Sequence, residues 1–144
     1  MKKLVLISIL LGIFVGVNAQ SSMTVNVTGI DSPKGDLYVA LYDSNVPFLS
    51  NKAIAGKIIE IDSNSMTIIF EDVENGRHAI AIYQDGNKNG KLDLGEWGGI
   101  PQEKYGFSNN VDPALIKRAP NFDECSFDVN GNTSVTINLV SAVK

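Results

Sequence analysis

The residues Asp85-Gly86-Asn87-Lys88-Asn89-Gly90-Lys91-Leu92-Asp93-Leu94-Gly95-Glu96 place oxygen donors at a spacing suited to a hard cation. Calcium takes about six to eight oxygens, and a short loop supplies that many only when alternate residues converge on one point. Asp85, Asn87 and Asn89 stand at loop positions 1, 3 and 5, and Gly90 at position 6 permits the sharp turn. Lys91 at position 7 offers its backbone carbonyl, Asp93 at position 9 binds directly or through water, and Glu96 at position 12 can close the sphere with two oxygens. Leu92 would anchor the loop inward, while Lys88 and Lys91 would carry their ammonium groups outward. The expectation is a calcium site of modest affinity, since only three of its donors are carboxylates. The competing expectation is a metal-free turn in which the same Asp and Asn side chains bond their own backbone. Mutual repulsion of three unneutralised carboxylates favours the ion.

Other chemistry is sparse. His78 is the one histidine, so a multi-histidine zinc site is excluded, and its place beside a turn predicts a surface or edge position rather than a catalytic base. Cys125 alternates with polar neighbours and is expected on the core face of a strand, where a thiol behaves as a small hydrophobe. No nucleophile elbow and no phosphate-cradling glycine loop occurs in the sequence. Asp93 and Glu96 could in principle form the acidic pair of a glycoside hydrolase, but ion ligation explains the same carboxylates with fewer assumptions. Trp97, Tyr105 and Asn109 could stack on and hydrogen-bond a sugar. The competing reading of Tyr105 to Asn110 is structural: Tyr105 and Phe107 pin the long loop, and Ser108, Asn109 and Asn110 satisfy its backbone.

The elements that must position these residues follow a period of two. Met23, Val25 and Val27 alternate with Thr24, Asn26 and Thr28; from Asp36 to Asp43 both faces are apolar, which predicts a central strand. Residues 54–61 and 66–72 read as a pair around Asp62-Ser63-Asn64-Ser65. Asn75-Gly76 reads as a tight hairpin into a strand from His78 to Gln84, and Asn130-Gly131 separates the last two strands. The sum is an all-β, antiparallel β-sandwich of about seven strands, immunoglobulin-like or transthyretin-like. Residues 85 to about 121 contain no predicted strand, and loops of that length are uncommon in compact domains unless functional or internally organised.

The N-terminus has a different character. Met1-Lys2-Lys3 precedes an apolar run from Leu4 to Val17, and Val17-Asn18-Ala19 provides small residues before Gln20, the pattern of a secretory signal peptide. The run is shorter than a membrane-spanning helix needs. Removing residues 1–19 takes away two lysines and no acid, moving the net charge from −4 to −6. That balance argues against nucleic acid or an anionic membrane as partner. A single cysteine allows no internal disulfide, so residues 20–144 are expected to form one domain resting on its core or on a bound ion.

Gly76, Ala79-Ile80-Ala81, the run from Asp85 to Asp93, Gly99-Ile100-Pro101, Glu103 and Tyr105-Gly106-Phe107-Ser108-Asn109-Asn110 together resemble the secreted bacterial family known as domain of unknown function 2141. The resemblance implies a small exported β domain and brings no established activity. His78 and Trp97 depart from the aromatic and from the Phe or Leu expected there, so it gives neither a shared role. The combined expectation is a secreted or periplasmic, non-catalytic module with a calcium loop, structural or ligand-binding at the cell envelope. The rivals are an adhesion domain that binds glycan or envelope protein through residues 97–110, and a hydrolase using loop carboxylates. An intact mass of the exported protein should correspond to a chain beginning at Gln20; a mass that retains Met1 to Ala19 would refute the export reading.

Overall fold

The structure, a computed structural model, describes residues 21–96 and 99–143. The expected signal peptide, the boundary at Gln20, and Trp97 lie outside these residues. Eight strands fall in two sheets: β1 (Ser21–Thr28), β2 (Asp36–Asp43), β3 (Ala55–Glu60), β4 (Met66–Val73), β5 (Gly76–Asp85), β6 (Tyr105–Phe107), β7 (Phe127–Val129) and β8 (Thr133–Asn138). One sheet has the order β4-β1-β8; the other has the order β3-β2-β5-β6, with β7 also paired to β5. No helix among the described residues is long and apolar enough to cross a membrane.

The alternating residues do what their period requires. Met23, Val25 and Val27 of β1 and Leu37, Val39 and Leu41 of β2 are almost entirely withdrawn from solvent and meet Ile68, Phe70, Ile80, Ile82 and Ile137 between the sheets. Each such side chain contributes roughly 1.5 to 3 kcal/mol by leaving water. On the far face of the smaller sheet, Asn26 bonds Ser134 and Thr67, and Thr28 bonds Asn138. That polar ladder explains why one face of β1 carries no apolar residue.

Two expected hairpins, and the turn between the last two strands, are instead crossings between sheets. β3 does not pair with β4: β3 lies on β2, with Leu37 opposite Ile59, and β4 lies on β1, with Val25 opposite Ile68. Ile61, at the crossing, is buried, and the Asn64 amide donates to the Ile30 carbonyl 2.6 Å away, tying this connection to the one that follows β1. The segment at Asn75-Gly76 likewise leads from β4 in one sheet to β5 in the other, and Asn130-Gly131 leads from β7 back to β8. Asn75 joins these two crossings by accepting from the Gly131 amide at 2.9 Å. Turn-forming residues signal a reversal, and a reversal serves an inter-sheet arch as well as a hairpin. The antiparallel pattern also has one exception, since β8 runs parallel to β1 from Met23–Thr133 to Thr28–Asn138.

Residues 85–121 are less irregular than their sequence suggests. They include β6, a 3-10 turn at Ser108–Asn110 and the short helix α1 (Pro113–Ile116); α2 (Phe122–Cys125) follows directly. Each helix is four residues long and needs its caps. The Asp112 carboxylate accepts from the Ala114 amide at 2.9 Å, while Asn121 and Glu124 form a reciprocal capping box. Arg118 clasps Glu124 with bonds of 2.8 and 2.6 Å, and with the Asn121 amide it holds the Glu124 carboxyl down to about 2.

Cys125 is corrected in place, though not in burial. It ends α2 rather than lying on a strand, because its neighbours are caught in the capping box and pairing to β5 starts only at Phe127. Its side chain is fully buried, and burial, with a smaller push from Glu124, raises the thiol to about 12. The native protein should therefore resist a thiol reagent at neutral pH and react once unfolded; labelling of the folded chain as fast as of the denatured one would contradict this packing.

Candidate functional site

β5 ends on Asp85, and the loop begins there. The Asp85 side chain is completely buried, and both carboxylate oxygens are engaged by backbone N–H groups further along: Oδ1 accepts from Asn89 at 3.1 Å and Oδ2 from Gly90 at 2.7 Å. Asn87 Oδ1 accepts from the Asn89 amide, and Asn89 Oδ1 from the Lys91 amide, at 3.1 and 2.9 Å. These are successive Asx turns, each winding the chain around the side chain before it. The winding takes Lys88 and Gly90 into the left-handed region, at φ 58° and 78°. At position 90 glycine meets this demand without the penalty of a Cβ.

Asp93 closes the circle. Asn87 Nδ2 donates to Asp93 Oδ2 at 2.7 Å, and Asn89 Nδ2 reaches both Asp93 oxygens at 2.8 and 3.0 Å. The side chains at loop positions 1, 3, 5 and 9 are thus gathered into one network, as the spacing requires. With carboxylates in place of the two amides, positions 3 and 5 would repel Asp93; asparagine lets the loop close on itself.

The remaining predicted ligands fare differently. Glu96 is exposed, and among the described residues no three His, Cys, Asp or Glu side chains gather closely enough to hold a metal. The anticipated crowding of three carboxylates is therefore absent. Lys91 contributes its backbone amide to Asn89, and its side chain is exposed. Lys88 points away from the loop centre, as expected, and bridges Glu60 at 2.7 Å and Asp36 at 3.3 Å. Leu92 is half-buried and lines an apolar groove on the outer face of the larger sheet.

Glu103 belongs to this site and was overlooked as a functional residue. Its two carboxylate oxygens accept from the Gly86 amide at 2.9 Å and the Asp93 amide at 3.1 Å, clasping the loop at both ends. Only chain return through the pairing of Leu94 with Pro101 brings it there, so no local spacing announced it. Tyr83 registers the charge collected here: its phenol is pushed up to about 12 by burial first, then by Tyr38, Asp85 and Glu103.

The run Tyr105 to Asn110 is mainly structural. Tyr105 is 4% exposed. Ser108 is fully buried and accepts from the Ile80 amide at 2.9 Å while donating to the Cys125 carbonyl. Asn109, at φ 60°, donates to the Glu124 and Ser126 carbonyls at 3.0 and 2.8 Å, which occupies the amide that a sugar would need. Asn110 donates to Thr136 and accepts from Asn138, tying the same turn to β8. His78 is buried rather than at the surface, because it stands on the same side of β5 as Ile80 and Ile82, which face the core; its Nδ1 lies 3.1 Å from the Gly76 carbonyl.

No curated protein and no solved structure matches the sequence. The model of the family described as an uncharacterized protein conserved in bacteria (DUF2141) does match, over residues 25–138, from within β1 to the last residue of β8. A match over most of the chain that takes in the gathered loop, its Glu103 clasp and the Ser108-Asn109-Asn110 ties makes this protein a member of that family.

Proposed function

We propose that the protein is an exported, non-catalytic module whose loop from Asp85 to Asp93 takes up calcium and thereby fixes the chain where it leaves β5 of the larger sheet. The observation that supports this most is the gathering of Asp85, Asn87, Asn89 and Asp93 by a chain wound around their oxygens. An oxygen that accepts one N–H keeps a further lone pair, so the oxygens of Asp85, Asn87 and Asn89 and the Oδ1 of Asp93 leave acceptor capacity for a cation, while Asp93 Oδ2 already accepts from both asparagines. The oxygens of Asp85, Asn87, Asn89 and Asp93, with the Lys91 carbonyl, are the candidate ligands; exposed Glu96 has the weakest claim. Two interior carboxylates make the affinity modest, in the range of about 0.1 to 1 mM found for extracellular calcium modules. The export reading rests on the sequence before Gln20.

The rivals draw less support. A sugar-binding role for residues 97–110 loses the Asn109 amide to the α2 carbonyls. A hydrolase would need a carboxylate free to move protons, and both Asp93 oxygens are engaged by asparagine amides.

With a dissociation constant near 0.1 mM and no affinity for the unfolded chain, about 1 mM calcium adds roughly 1.4 kcal/mol of stability. The melting temperature should then rise by roughly 4 to 7 °C over a chelated sample. Asp93→Asn removes a charge and turns one oxygen that accepts from Asn89 into a donor, and should cut the rise by more than half; Glu96→Gln and Lys88→Ala should leave it nearly intact. A bound cation would also favour the Tyr83 phenolate and lower its pKa, which an ultraviolet titration can follow. Identical melting curves in calcium and chelator, with no binding heat up to several millimolar calcium, would make the loop a metal-free turn.

A further inference from the structure

The outer face of the larger sheet carries a second feature that the calcium reading does not use. Strand register sets Gly56, Ala40, Ala81 and Phe107 side by side in one row, and Ile58, Tyr38, Tyr83 and Tyr105 in the next. Three of the first four residues are small, and the second row is large throughout. Tyr38 and Tyr83 stack at 4.7 Å between ring centroids, stiffening that side. The result is a trough crossing the strands, about 14 Å long from three interstrand spacings of about 4.8 Å. Leu92 and Leu94 from the loop and Pro113 to Pro120 around α1 wall it, enclosing about 1000 Å³.

Its surface is unusual for this protein in two respects. Ile58, Leu94 and Ile100 line it while 62%, 56% and 50% exposed, so large apolar side chains converge on one concavity instead of being scattered. In a chain of net charge −4, the lining also contains no carboxylate, and its charged residues are Lys57, Lys117 and Arg118. Two of these are already engaged: the Lys57 ammonium lies over the Phe70 ring at 5.6 Å, and Arg118 is held by Glu124. Lys117, in a left-handed position at the end of α1, is exposed and has no ion-pair partner among the described residues.

We propose that the trough binds a single-chain amphiphile, its apolar body laid over Gly56, Ala40 and Ala81 and its carboxylate head set against Lys117. The volume is at the upper end of small-molecule sites, which are mostly apolar with a few polar groups that orient the ligand. A sugar is disfavoured because the floor offers methyl groups where hydroxyls would need partners. The charge of the lining separates the head groups: an anion meets Lys117 without opposition, whereas a cation meets no carboxylate. The proposal does not depend on calcium in the loop.

Sodium decanoate, decanol and decyltrimethylammonium, each below its micelle-forming concentration, can be titrated calorimetrically into the protein in chelator. Decanoate should bind, with decanol roughly fivefold weaker and decyltrimethylammonium weaker still, as expected for one exposed ion pair. Lys117→Glu should remove the preference of decanoate over decanol. Ala40→Leu and, separately, Ala81→Met fill the floor and should abolish binding of both ligands, with folding of each variant checked by circular dichroism. Equal binding of the anionic and cationic ligands would overturn the assignment of the head group. Undiminished binding in both filled variants, or no binding of any ligand by the unmodified protein, would overturn the trough itself. A concentration-dependent dimer abolished by both fillings would assign the trough to a second copy of the chain and overturn the amphiphile.

Discussion

A carboxylate withdrawn completely from water at the end of β5 constrains everything around the candidate site. Burying an ionised group costs several kcal/mol unless its oxygens are hydrogen-bonded, and Asp85 finds its donors only four and five residues ahead of itself. The chain must therefore wind tightly, which places Lys88 and Gly90 at positive φ and brings Asn87 and Asn89 round to Asp93. Room for the backbone of Asp85 is provided by Gly35, where a Cβ would stand 2.0 Å from the Asp85 carbonyl oxygen. Gly35 also holds φ 80°, so both the space and the dihedral exclude other residues. Lys88, turned outward by the same winding, then fastens the loop to Asp36 and Glu60 on β2 and β3.

The second set of ties is long-range and mostly polar. Ser108, Asn109 and Asn110 join the middle of β5, the end of α2 and β8 within three consecutive residues. Tyr105 exchanges two backbone bonds with Val140, at 3.0 and 2.8 Å, linking the β6 edge of one sheet to the chain just beyond β8 of the other. With no disulfide available, these hydrogen bonds do the work of a staple at the open side of the sandwich. They also explain why a stretch with little regular structure is held in one arrangement, since among its described residues no buried side-chain nitrogen or oxygen lacks a hydrogen-bond partner.

Much of this was legible, and the reasons are local. The faces of β1 and β2 follow from alternation alone, because a period of two fixes which side chains share a side. Positions 85, 87, 89, 90 and 93 were readable because an Asx-rich loop is determined by its own spacing. The crossings at residues 61–65, 75–76 and 130–131 were not, since turn chemistry specifies a reversal but not which sheet receives the next strand. Glu103 and His78 were misjudged for a related reason: one reaches its place through the pairing of Leu94 with Pro101, the other lies opposite Phe127 of β7, far along the chain, on a strand that continues past its turn. The trough was half visible, in the apolar outward face of Tyr38, Ala40 and Tyr42. Recognising it as a trough required knowing that Gly56 and Ala81 flank Ala40.

The loop and the trough are two sides of one piece of chain. Asp93 faces the Asn87 and Asn89 amides, while Leu92 and Leu94, its immediate neighbours, face the trough. A Cβ at Gly90 would come within 3.6 Å of the Tyr38 hydroxyl, so the tip of the loop lies against the stacked tyrosines. Any occupant that fixes Asp93 must also restrict the two leucines, and any occupant that packs on the leucines must restrict Asp93. Linkage then requires that whatever coupling exists between the two sites be reciprocal in free energy. If both occupants order the same segment, the ordering cost met by the first would not be met again by the second, and the coupling would be positive. The asparagines at 87 and 89, by closing the loop on Asp93 through amide–carboxylate bonds, hold the segment that carries both leucines.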